Sequence, residues 1–130
     1  IREKRGLAYS TFAFSGAYSD AGYFGMYAGC LPAKTEQVRE VMGHEFDKLA
    51  AAGITEEELL KVRGQLAGST VLGSEDSGSR MSRLGRAEMD SGQFTSTDEL
   101  LEKIRAVSLD EVRDLAAFLG EQQMITTIVR

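Results

Sequence analysis

The order of hydrophobic periods along this 130-residue chain predicts an α+β fold, a small antiparallel β-sheet covered on one face by helices. Two segments with period-two alternation follow one another near the start, across a turn-forming stretch. Five segments of helical period come next with no strand pattern between them, which excludes alternating βαβ units. A β-branched apolar tail closes the chain and is predicted to return as a strand beside the first two. The length suits a single domain over residues 1–130.

The first strand is predicted over Ser10 to Ala17, with Phe12 and Phe14 on one face and Thr11, Ala13 and Ser15 on the other. Tyr18-Ser19-Asp20-Ala21-Gly22 supplies the turn. Tyr23 to Leu31 reads as the second strand, placing Phe24, Met26, Ala28 and Cys30 on one face. Its other face alternates Tyr23, Gly25, Tyr27 and Gly29, a pattern that predicts close approach of another backbone or a helix. The two strands form an antiparallel hairpin.

Pro32 ends the strand, and a helix follows from about Thr35 to Ala52. Val38, Val41, Met42, Phe46, Leu49 and Ala50 form its apolar stripe, and Gly53 is its stop. Thr55 and Glu58 spell a capping box for the next helix, which turns Leu59, Val62, Leu66 and Val71 inward. Gly73 to Gly78 reads as a polar interhelical loop. A helix over about Ser79 to Ser91 carries Arg80, Arg83 and Arg86 in a row, set to pair with Glu75, Asp76 and Glu88 or to meet an acidic partner. Ser96 or Thr97 opens a short helix ending near Ala106. Ser108 and Glu111 form a second capping box for a helix running through Val112, Leu115, Ala116 and Leu119 to Gly120. The closing strand spans Met124 to Val129.

Composition removes several function classes. A net charge of −5 argues against a general nucleic-acid binder, and 42% hydrophobic with 27% charged residues is ordinary for a globular chain. No apolar run approaches the ~20 residues that span a bilayer. Cys30 is the sole cysteine, which fits a reducing cytoplasmic location. His44 is the sole histidine, so no usual tetrahedral zinc site can be assembled, and His44-Glu45 lacks a second histidine one turn on. The glycine-bearing stretch from Gly73 carries Glu75 and Asp76 where a phosphate loop needs a lysine. A Cys30–His44 nucleophilic pair is outweighed by the apolar setting of Cys30.

Chemistry concentrates in the opening run Arg2-Glu3-Lys4-Arg5-Gly6-Leu7-Ala8-Tyr9-Ser10. Its charges read as an exposed last helical turn stopped by Gly6, so the chain is expected to begin inside a helix and to be truncated at its N-terminus. Arg2 and Tyr9, seven residues apart, would share one face of a continuous helix, roughly 10 Å apart along its axis. If the helix ends at Gly6, the two side chains can still converge. A guanidinium beside a phenol is a donor pair suited to a carbonyl oxygen gaining negative charge. On spacing alone the ordinary reading is a solvated helix end followed by a core tyrosine.

This run, with Gly16, Ser19-Asp20-Ala21-Gly22 and Gly25 to Cys30, resembles the second-half signature of the pitrilysin and mitochondrial processing peptidase family of zinc metallopeptidases. Gly53-Ile54-Thr55-Glu56-Glu57-Glu58-Leu59 and Ser79-Arg80-Met81-Ser82-Arg83-Leu84-Gly85-Arg86 look like helices of the same family. The resemblance covers essentially the whole chain. It implies two related α+β halves closing over an unfolded peptide, with zinc held by an inverted His-x-x-Glu-His motif in the first half. The second half contributes an Arg and a Tyr, which match Arg2 and Tyr9, to hold the peptide carbonyl and stabilise the oxyanion.

The resemblance therefore implies the C-terminal portion of a zinc-dependent metalloendopeptidase, with Arg2 and Tyr9 as catalytic residues and no metal ligand of its own. Zinc belongs to the missing half, and this chain is predicted to be inactive alone. The implied partners are a peptide substrate and the N-terminal half of the same enzyme or a sister subunit; a homo-oligomer could cover an open sheet edge. Neither nucleic acid nor membrane is expected. The rival reading is a non-catalytic structural subunit of the same family, which would have no need of the Arg2–Tyr9 pair.

Overall fold

A computed structural model describes residue 1 and residues 6–18, 20–90 and 92–129. Strands β1 (Ser10–Ala17) and β2 (Gly22–Gly29) pair antiparallel, with Ser10 opposite Gly29 and Ala17 opposite Gly22. The Tyr18 amide donates to the Ala21 carbonyl at 2.7 Å and closes the turn. A 3-10 turn at Pro32–Lys34 leads into α1 (Thr35–Ala52); α2 (Glu56–Glu75), α3 (Ser77–Asp90), α4 (Thr97–Ala106) and α5 (Leu109–Gly120) follow. This is the predicted α+β class, with strand and helix boundaries close to those expected.

The chain divides into two compact units. The first comprises residues 1–53 and 116–130, the second residues 54–115. In the first unit, Val38 and Phe46 of α1 are buried together with Leu7 and Ala8 ahead of β1. One sheet face packs on α1 through Phe24, whose ring stacks on Phe46 with centroids 6.1 Å apart. Gly120, at the end of α5, lies against α1 so closely that a Cβ there would come within 2.5 Å of the Ala50 Cβ. Gly53 ends α1 with φ 66°, its amide donating to the Leu49 carbonyl at 2.8 Å.

In the second unit, Leu59 is buried, whereas Val62, Leu66 and Val71, expected to point inward, are 44–48% exposed. The Arg63 guanidinium donates to the Val107 carbonyl and ties α2 to the link between α4 and α5. The capping box at Thr55 and Glu58 is present, as is the one at Ser108 and Glu111. Ser96 and Glu99 form a third that the sequence reading left undecided between Ser96 and Thr97.

Three expectations are corrected. The tail from Met124 to Val129 forms no strand, and the sheet among the described residues has two strands. Ile125 and Val129 are 85% and 91% exposed: β-branched propensity alone does not dock a segment onto a sheet. The loop predicted from Gly73 to Gly78 shrinks to Asp76, as α2 continues to Glu75 and α3 starts at Ser77. Within that extension the Ser74 hydroxyl donates to the Val71 carbonyl at 2.6 Å, and the Asp76 carboxylate takes the Ser79 amide at 2.6 Å, which starts the next helix. The third correction concerns the Tyr/Gly face of β2. Among the described residues no helix or separate backbone covers it. Rings from the hairpin itself fill the glycine positions: Tyr23 over Gly16, Phe14 over Gly25 and Tyr9 over Gly29.

The capping carboxylates tie helix formation to pH. Backbone N–H donors, followed by the cap hydroxyls, hold Glu58, Glu99 and Glu111 below their ordinary value of 4.5, and the Ser79 amide lowers Asp76 below 3.8. Each folded carboxylate resists protonation more than its unfolded counterpart does. The stabilisation is therefore complete above the ordinary value and is lost as pH falls through the lowered one. Helicity followed by circular dichroism is expected to fall on acidification below about pH 4.5, and Glu58→Gln with Glu99→Gln and Glu111→Gln should flatten that slope. Gly53→Ala, forced into a left-handed backbone, should destabilise the first unit by roughly 1–2 kcal/mol in thermal or denaturant melts.

Candidate functional site

The approach to β1 is set by Gly6, Leu7 and Ala8. Gly6 has φ 57°, the left-handed conformation expected of a helix stop, and the Leu7 amide donates to the Ile1 carbonyl at 3.2 Å. Leu7 and Ala8 are buried and anchor the segment, so the next residue emerges at the sheet surface. That residue is Tyr9, 71% exposed. The core-tyrosine reading is therefore set aside. Arg2, with the rest of the predicted final helical turn, lies outside the described residues, and so does its approach to Tyr9.

Tyr9 is held at two points by one partner. Its amide donates to the Gly29 carbonyl at 3.0 Å, beside the Ser10–Gly29 pair that ends the β1–β2 ladder. Its ring lies on the Gly29 α-carbon: a Cβ at Gly29 would stand 2.7 Å from Tyr9 Cε2 and Cζ and 2.8 Å from the phenol oxygen. Among the described residues, the phenol oxygen has no hydrogen-bond partner. It presents one donor and two lone pairs outward.

Beyond Tyr9 the same face carries a run of rings. Phe12 stacks on Tyr27 at 4.8 Å, Phe14 meets Tyr23 edge-on at 6.1 Å, and Tyr18 lies 6.3 Å from Tyr23. These rings stay 45–70% exposed. The sequence reading placed the aromatics on the correct faces and missed that the opposite glycines seat them. Antiparallel register about the Tyr18–Ala21 turn was the available signal, since it sets Gly16 opposite Tyr23 and Phe14 opposite Gly25.

Other candidates resolve plainly. His44 is exposed on α1, and Cys30 is a half-buried free thiol. Among the described residues no three His, Cys, Asp or Glu side chains are grouped to hold a metal ion. The arginine row does not pair with Glu75, Asp76 and Glu88. Arg83 donates to the Thr97 hydroxyl at 3.1 Å and lies 5.2 Å from the Phe94 ring centroid. With Arg80, Ser74 and Ser96 these residues line an open hollow of about 310 Å³ that holds no acid–base pair. No helix among the described residues is long and apolar enough to cross a membrane.

Residues 1–66 match the peptidase M16 inactive domain. A Streptomyces coelicolor protein named as an uncharacterized zinc protease is 42% identical over 129 residues, covering 98% of this chain and 28% of that protein. A Mycobacterium bovis protein of the same description is 42% identical over 119 residues, or 92% of this chain and 27% of the relative. The zinc protease YmxG of Bacillus subtilis, also called uncharacterized, is 34% identical over 129 residues, covering 99% of this chain and 32% of YmxG. The chain thus spans about a quarter to a third of the length of these relatives. With a match to the inactive domain over its first half and 42% identity across nearly its whole length, the chain belongs to the M16 peptidase family, in which it corresponds to the C-terminal domain.

Proposed function

We propose that this chain is the C-terminal, substrate-binding portion of a zinc-dependent metalloendopeptidase, and that Arg2 and Tyr9 bind the peptide carbonyl and stabilise the oxyanion. One observation carries the reading: a phenol at the head of the hairpin, exposed and with no hydrogen-bond partner among the described residues, fixed at its backbone and along its ring. An oriented donor that no described residue engages is available to a bound carbonyl oxygen, and its hydrogen bond strengthens as charge develops there. Arg2, seven residues earlier, would add a second, charged donor to the same oxygen.

The metal belongs elsewhere on this reading. The described residues of this chain group no ligand set that fits zinc, so no step of the reaction is assigned to zinc here. Relatives named as zinc proteases are more than three times as long, which leaves room for a zinc-bearing half. The chain pairs with that half, or with a sister subunit, around an unfolded peptide, in a cytoplasmic setting compatible with its lone thiol.

The test uses the full-length protein and a quenched fluorescent peptide. Tyr9→Phe and Arg2→Ala should each lower kcat by ~10²–10³ with zinc content unchanged. Wild-type turnover in both variants would overturn the assignment. Residues 1–130 expressed alone should cleave nothing.

A further inference from the structure

The face that carries Tyr9 has three glycines, each lying under a ring. Gly29 differs from the other two in what it supports. Gly16 and Gly25 seat rings from the directly opposed strand position, Tyr23 and Phe14. Gly29 seats the phenol end of Tyr9, a residue that precedes β1, and accepts that residue's amide as well. Gly29 is itself buried, so the seat is firm. We infer that Gly29 is a positioning residue, whose missing side chain sets the place of the Tyr9 hydroxyl at the substrate; this rests on the catalytic role proposed for Tyr9.

The geometry separates position from fold. Gly29 is not among the glycines with positive φ, so its backbone accepts alanine without strain. The ladder bond at 3.0 Å keeps the Tyr9 backbone in place whatever stands at position 29. A new Cβ would meet the ring at 2.7 Å, where ordinary contact begins at 3.4 Å, so the ring must swing off. The phenol oxygen sits at the far end of that lever and moves most. Misplacing a reacting group by about 1 Å can cost ~10²-fold in rate, while lifting the one ring at the end of the series leaves the β1–β2 backbone pairing in place.

The experiment is a double-mutant cycle in the full-length protein, with a quenched fluorescent peptide as substrate. Gly29→Ala should lower kcat by about tenfold to a hundredfold with KM nearly unchanged, and should add nothing to the loss in a Tyr9→Phe background. Gly16→Ala is the control: its Cβ would meet the Tyr23 ring at 2.5 Å at the far end of the same hairpin, and kcat should hold. Three results would overturn the inference alone, each with Tyr9→Phe impaired: Gly29→Ala at wild-type turnover, Gly29→Ala equally harmful in both backgrounds, or Gly16→Ala as harmful as Gly29→Ala. Wild-type turnover in Tyr9→Phe itself would instead remove the proposed role of Tyr9, and this inference with it.

Discussion

Rings laid over glycines hold the hairpin face together. A two-stranded sheet is marginal in water, because half of its backbone hydrogen-bonding groups face outward and one side has no cover. Here the β1–β2 pair gains a second set of contacts. Tyr23 fills the space above Gly16 and Phe14 the space above Gly25, while Phe12 stacks on Tyr27 in the next pair toward Gly29. Cross-strand aromatic pairs contribute about 0.2–1 kcal/mol each, and several in series matter on the scale of a small sheet. Any side chain at the glycines would lift its ring and weaken the series. Three of the rings are packed on their undersides against glycine backbone and open on their outer sides.

The opposite face obeys a different constraint. Phe24 stacks on Phe46 of α1, and the register that places Phe24 there sends Tyr23 and Tyr27 outward. A slip of one residue would exchange the two faces and set the tyrosines against the helix. Burial of Leu7 and Ala8 guards against that slip, since it fixes where the chain joins β1 and hence where Tyr9 emerges.

What the sequence made legible was what local chemistry decides. Period-two alternation located both strands to within two residues, and the Thr55–Glu58 and Ser108–Glu111 pairs marked helix starts that the hydrogen bonds then display. Gly53 was readable as a stop because only a left-handed residue suits that position. What stayed hidden depends on partners distant along the chain. Met124 to Val129 has strand composition, yet whether a segment pairs is decided by tertiary contacts that composition does not encode. Gly73 and Ser74 look like loop residues, yet α2 runs through both, because a helical glycine costs only about 1 kcal/mol relative to alanine. Alternating Tyr and Gly in β2 announced a close approach without revealing that the approaching groups were the hairpin's own rings.

For the site, the sequence offered residue types and spacing, and the fold supplied exposure. Arg2 and Tyr9 could be singled out by chemistry, and resemblance to the peptidase family gave the pair a role. Spacing alone could not distinguish a tyrosine sealed in a core from one presented to a substrate, because both precede a strand in the same way. The distinction comes from the two residues before it. Leu7 and Ala8 take the buried positions, so Tyr9 is left outside, and Gly29 leaves no side chain to push it away from the sheet. The contribution of a donor placed in this manner is, under the proposed mechanism, geometric. Its effect therefore depends on the rigidity of the seat beneath it, and that seat is backbone.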